Sequence, residues 1–394
     1  MNKKLMALAV AGAFAAPAAA FAQASNVQVF GTMYMEYGYA KQGTGAAPGL
    51  AGPLVNADLL QSPGSEIGFK GEEALGGGLT AWFQCVSTAD TRGSAPQGFC
   101  GRNSAIGMKG SYGNVFVGNW DMPMKANSGA VRIVSETGVW GTQHLLMGGS
   151  ASFLDAAGPT IFSRRQNHSF FYSSPNWSGF DVKFGISTTS PSATIGTGAT
   201  VANGLAKPRV WGLGGNYTNG PLIVSANYEA HSNFNTLGIS PASGTNDTGY
   251  TLGAAYQFGP VKAGLMYAKQ RFDGGIGALD ASVDAWNVAG DWAVQGPHHI
   301  LAGFTKANNT KGTFGAAGAG TLTGVRVFNA GGGATGGSIW QVEYQYHFSK
   351  RTRGSLGYVS LQNDLNARYG LGGFAVPAGG QNQNAVAASI KTTF

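Results

Sequence analysis

The amino-acid sequence predicts an all-β chain closed into a sixteen-stranded antiparallel transmembrane β-barrel. Three observations predict it. Sixteen segments alternate apolar and polar residues with a period of two, their connections alternate between tight turns and long excursions, and the last segment stops in mid-pattern on Phe394.

At the N-terminus, Lys3 and Lys4 precede an apolar stretch from Leu5, broken only by Pro17, and the small-residue site Ala22-Gln23-Ala24. This reads as a secretory signal peptide over residues 1–24, leaving a mature barrel domain of 25–394. A retained membrane anchor is the competing reading; the Ala-rich core and the A-x-A site favour cleavage. No later window holds the roughly 18 uninterrupted apolar residues of a spanning helix.

In chain order the segments are VQVFGTMYMEYGYA, SEIGFKG, GLTAWFQCV, NSAIGMKG, NVFVGNW, RQNHSFFYS, FDVKFGIS, RVWGLGGNY, LIVSANYE, TGYTLGAAYQF, VKAGLMYAKQ, VDAWNVAGDWAV, HHILAGFTKA, SIWQVEYQYHF, RGSLGYVSL and NAVAASIKTTF. Their tight joints (EEALGGG, SYG, SPNWSG, TNGP, GP, QGP, SKRT) are rich in residues that reverse a chain. The long joints carry Gly, Ala, Ser and Thr tracts and read as surface loops. An even strand count with both termini on one side puts short turns in the periplasm and long loops outside.

A soluble multi-sheet protein also alternates, so the second face of each strand decides. In WQVEYQYHF one face carries Trp340, Val342, Tyr344, Tyr346 and Phe348, and the other carries Gln341, Glu343, Gln345 and His347. The first set suits lipid and the second wants water. Phe180, Val182, Phe184 and Ile186 divide in the same way from Asp181, Lys183, Gly185 and Ser187. Aromatics gather beside the tight turns, at Trp177, Phe180, Tyr217, Tyr256, Phe258, Trp292, Tyr346, Phe348 and Phe394, as rings with one apolar and one wet edge do at a membrane interface. The first and last segments are expected to pair, because an open edge in lipid strands backbone donors and acceptors at a cost of several kcal/mol each. Phe394 would then complete the barrel closure at the periplasmic rim.

Composition agrees. Charged residues make up 11% of the chain, against about 25% in ordinary globular proteins. The formal charge of +7 falls to +5 without Lys3 and Lys4, and the basic residues are scattered, which argues against nucleic-acid binding. Cys85 and Cys100 are expected to be bridged in an exported chain; two free buried thiols is the other reading.

SNVQVFG, SEIGFKGEEALGGGLTAWFQ, RNSAIGMKGSYGNVFVGNWD, RRQNHSFFYSSPNWSGF and YHFSKRTRGSLGY stand in this order along the chain. Together they resemble the general porins of Gram-negative outer membranes, particularly the trimeric sixteen-stranded neisserial and β-proteobacterial type. Glu66 stands where that family often has a basic residue, Arg102-Asn103 reverses the usual order, and the last strand lacks the common Arg-His before its Phe. These departures bear on the charge of the pore, not on the fold.

The resemblance implies a homotrimer among outer membrane lipids, with a third loop, about 121–164, folded inward as a constriction. Asp121, Glu136 and Asp155 would supply its acids, or the last two would be merely solvated loop charges. Lys70, Lys109, Arg165 and Lys183 would face it from the wall, setting up a transverse field that orients water and polar solutes. The implied function is a water-filled channel for passive diffusion of small hydrophilic solutes and ions; mild basicity suggests a preference for anions. The alternatives are a solute-specific outer membrane channel and a structural or adhesive barrel.

Enzymatic and metal chemistry find no support. GGGATG at 331–336 fits G-x-G-x-x-G but precedes a strand with no helix to cradle a phosphate. No serine has glycine two residues before and after it. His298 and His299 point to opposite faces of one strand, and no zinc spacing occurs. Neither a cofactor nor a metal is expected.

Overall fold

Period-two alternation becomes a wall because each strand can bury one face only if its backbone pairs on both sides. The computed structural model describes residues 27–43, 56–92, 98–135, 137–141, 162–189, 207–233, 245–273, 281–312, 321–322, 326–327, 333–367, 369–374, 377 and 379–394. The expected leader, 1–24, lies outside them.

The strands are β1 (Gln28–Gln42), β2 (Ala57–Gln61), β3 (Glu66–Gly76), β4 (Leu79–Thr88), β5 (Ser104–Gly110), β6 (Gly113–Asp121), β7 (Arg165–Ser173), β8 (Phe180–Ser187), β9 (Arg209–Asn219), β10 (Leu222–Ser232), β11 (Asn246–Phe258), β12 (Val261–Phe272), β13 (Ala281–Gln295), β14 (His298–Ala307), β15 (Lys311–Gly312), β16 (Thr321–Leu322), β17 (Arg326–Val327), β18 (Gly337–His347), β19 (Thr352–Asn363) and β20 (Gln383–Thr393). Sixteen staves form the wall, each antiparallel to the next, and every predicted segment falls on its own stave, six of them overrunning the strand by one residue. The second stave is split: β3 pairs with the start of β1 and β2 with its later half. At the break Ser65 stands in for the ladder, its hydroxyl accepting from Tyr34 N–H at 2.9 Å and donating to Tyr34 O at 3.0 Å.

Closure runs along β1 and β20, in register from Thr32↔Thr393 to Gln42↔Gln383. Beyond it, Gly31 and Phe394 exchange N–H···O bonds of 3.2 and 3.1 Å. The Phe394 ring lies so close that a Cβ on Gly31 would sit 2.6 Å from it. Deleting Phe394 should therefore lower the folded, heat-modifiable fraction on cold SDS gels; an unchanged fraction would show that the seam holds without it.

Three hairpins turn on Gly-Pro. Gly220 (φ +53°), Gly259 (φ +57°) and Gly296 (φ +58°) take the left-handed position, and the following proline fixes the second, a pairing suited to two-residue β-turns.

The exterior is apolar and the inside is polar, the inverse of a soluble protein. Leu213, Leu252, Leu265, Val288, Val342, Leu356 and Ile390 are exposed on the outer face, while Glu36, Asn227, Glu229, His231, Gln341 and Glu343 are buried on the inner one. Around one rim the expected girdle forms: Phe180 packs on Tyr217, Tyr256 on Phe258 and Tyr346 on Phe348, with ring centres 4.2, 4.4 and 4.9 Å apart.

Candidate functional site

The connection from Asp121 at the end of β6 to Arg165 at the start of β7 runs, where described, against the inner wall. It opens with a nine-residue helix, Pro123–Val131. Pro123 at the helix start presets φ, but Met122 supplies no side-chain cap, and so short a helix has little stability of its own. Tertiary packing holds it, and glycines make its bed. A Cβ at Gly253 on β11 would lie 2.7 Å from Val131 Cγ2, and one at Gly264 on β12 would lie 2.8 Å from Val131 O.

Asn127 fixes the helix to the wall. Lys183 Nζ and Asn216 Nδ2 donate to its Oδ1 at 2.5 and 3.0 Å. Because an ammonium can only donate, this orients the amide, and Asn127 Nδ2 is left to donate to Asn227 Oδ1 at 2.8 Å.

Further along, Val139–Gly141 forms a 3-10 turn that docks on β1. The buried Glu36 carboxylate accepts from Val139 N–H at 2.8 Å, from Tyr34 OH at 2.9 Å, and from Gln61 Nε2. Trp140 is fully buried, against Gly357 of β19. On the return limb, Phe162 stacks on His231 with ring centres 4.4 Å apart and packs against Phe272.

The connection between β19 and β20 also folds inward. Ala367, Tyr369 and Leu371 share a buried cluster with Val139 and Trp140. Leu371 N–H donates to Gln383 Oε1 at 2.8 Å, and Asn363 Nδ2 donates to Tyr369 O and Gln381 O at 2.9 and 2.8 Å. Two inward segments thus line the bore where the sequence predicted one.

The expected site residues divide into groups. Lys70, Lys109 and Lys183 have lumen-facing parity in the ladder. Lys70 Nζ lies 5.3 Å from the centre of the Phe30 ring, Lys109 pairs with Glu72 at 2.6 Å, and Lys183 lies 3.2 Å from Asp181 besides its bond to Asn127.

Asp121 and Arg165 do not face one another across the bore. They are direct ladder partners 3.2 Å apart, and Asn103 ties them, accepting from Arg165 Nε at 2.6 Å and donating to Asp121 Oδ2 at 3.0 Å. Lys125 adds a third contact to Asp121 at 3.3 Å. The cause is register: both residues sit where the loop leaves and re-enters adjacent strands, so their charges brace its base. Glu136 and Asp155 lie outside the described residues.

Two departures from the family pattern meet each other, since Arg102 Nε donates to Glu66 Oε2 at 2.7 Å. Cys85 and Cys100 are joined in a disulfide that ties β4 to the connection before β5.

Sequence reasoning passed over Glu36, Asn127 and the pair Arg353 and Lys391. Strand parity alone would have put Glu36, Arg353 and Lys391 inside the bore.

A closed antiparallel barrel with an apolar exterior, a polar bore and loops folded into that bore defines a transmembrane channel. Residues 7–366 match the family model described as Gram-negative porin, and the chain belongs to that family. It is 29% identical over 279 residues to outer membrane porin protein 32 of Delftia acidovorans, covering 70% of this chain and 72% of that one. It is 27% identical over 305 residues to the major outer membrane protein P.IB of Neisseria lactamica, covering 71% and 85%. An anion-selective porin from Comamonas acidovorans superposes with a TM-score of 0.68 at 23% identity, over 94% of this chain and all of the other. The protein is an outer membrane porin, a water-filled channel through which small hydrophilic solutes and ions diffuse.

Proposed function

We propose that this porin prefers anions and works as a homotrimer. One observation supports the preference. Among the described residues, every carboxylate on the lumen face of the strands has a side-chain or backbone partner: Glu36 with Tyr34, Glu66 with Arg102, Glu72 with Lys109, Asp181 with Lys183, Glu229 with His231, Asp247 with Asp273 N–H, Asp291 with His299 and Glu343 with Gln345. Lys70, Lys262, Arg353 and Lys391 share that face and make no ion pair among the described residues. A passing anion meets uncommitted positive charge, and a passing cation meets carboxylates already engaged.

In this reading Lys70, Lys109 and Lys183 line the bore, Asp121 and Arg165 brace the constriction loop, and Glu136 and Asp155 carry the remaining acidic charge of that loop. Residues 1–24 are removed on export. The relative from Comamonas acidovorans described as anion-selective agrees with this polarity. Reversal potentials of the purified channel in a KCl gradient test it: a potential on the chloride side is expected, and a cation preference would overturn the reading. Conductance arriving in triplets of equal steps is expected of a trimer.

A further inference from the structure

Residues of like charge directly opposite one another on neighbouring strands are unfavourable, and a counter-charge between them relieves the repulsion. The bore holds one such row. Arg353 of β19 stands opposite Lys391 of β20, and His347 of β18 stands opposite Arg353 on the other side. All three have lumen parity, close to the short connection between β18 and β19 and so at the periplasmic end. Neither Arg353 nor Lys391 makes an ion pair among the described residues; Lys391 Nζ lies 5.8 Å from the centre of the Tyr34 ring.

One lumen position further in, the hydroxyls of Ser355 and Ser389 are 2.5 Å apart on facing strands. One of the two donates to the other, and the pair also hydrogen-bonds to Glu343 through Ser355 and to Tyr34 through Ser389, so its hydroxyls are engaged by the wall. The next lumen position on β19 is Gly357, against which Trp140 packs. The cationic row therefore lies four residues, about 13 Å, to the periplasmic side of that contact.

We propose that Arg353, Lys391 and His347 form an oxyanion-binding subsite on the periplasmic side of the constriction. The guanidinium fork matches two oxygens of a phosphate or carboxylate, and Lys391 adds a point charge. Two adjacent fixed charges favour a dianion, so inorganic phosphate binds more tightly than acetate. The subsite rests on the anion-preferring reading, since an anion must be able to enter the bore to reach it.

The test is chloride current through single channels titrated with sodium phosphate, and separately with sodium acetate, from the side of the short turns. Saturable block is expected, at lower concentration for phosphate. Losing one charged hydrogen-bonding partner should raise the half-blocking phosphate concentration by about tenfold or more in Arg353→Gln and in Lys391→Gln. Arg353→Lys should fall between those variants and the wild type, and Lys311→Gln, which removes an exposed charge at the opposite end of the barrel, should leave the value unchanged. Retained heat-modifiable mobility identifies the folded variants. A wild-type channel that prefers cations would end the underlying reading. An anion-preferring channel that shows no saturable block, or whose block ignores both Arg353→Gln and Lys391→Gln, or responds equally to Lys311→Gln, would end the subsite alone.

Discussion

Arginine in place of Leu356 is expected to destabilise the folded barrel in lipid by about 2–4 kcal/mol, the cost of a cation on the lipid face near the membrane midplane. Leu356 is 60% exposed on the outer face of β19. Its neighbour Ser355 faces the lumen, where arginine stays in water. There the change forfeits the bond to Ser389 and adds repulsion from Arg353 of about 0.6 kcal/mol at 7 Å in water. Urea unfolding in lipid vesicles, followed by tryptophan fluorescence, should separate the two variants. Equal losses would mean that the two faces of the strand meet the same medium, and the barrel could not be a membrane wall.

Glu36→Ala is expected to unlatch the inward-folded β6–β7 connection. The change removes a carboxylate that holds Val139 N–H, Tyr34 OH and the Gln61 amide, in a place where water does not reach. Hydrogen bonds to a charged group contribute about 1.5–3 kcal/mol each, and the donors left behind are buried. The 3-10 turn at Val139–Gly141 should then leave the wall for part of the time. Single-channel currents should show added open-state noise and a second conductance level, whereas Glu36→Gln, which keeps an acceptor, should be quieter. A steady current in Glu36→Ala would mean that Trp140 packing holds the turn without the carboxylate.

The wall was legible because it obeys one local rule. Period-two alternation fixes both strand and face, so Trp340 and Gln341 are assigned to lipid and bore before any partner is known. The interior was less legible, because its rules are long-range. The Pro123–Val131 helix shows no useful periodicity over nine residues, and what stabilises it is a set of glycines on β11 and β12 more than 100 residues away in sequence. In the sequence Gly253 and Gly264 read as composition; in the structure they are clearance.

The same holds for charge. The resemblance placed Asp121 and Arg165 near the constriction but not in contact, because only the β6–β7 register makes them ladder partners. Glu343 and Gln341 were expected to be wet; they are covered, since the inward segments pack on β18 and β19. That the β19–β20 connection turns inward depends on Gln383 and Asn363 capturing its backbone, a meeting no pattern within the segment announces.

Single-channel recording of the purified protein in a planar bilayer, across a series of KCl concentrations, probes the water-filled bore most directly. Step-like currents should appear, with conductance rising in proportion to the conductivity of the bulk solution, as an aqueous pore requires. A bilayer that stays silent after the folded protein has inserted, or a conductance that saturates at low salt for every ion tried, would contradict an open channel.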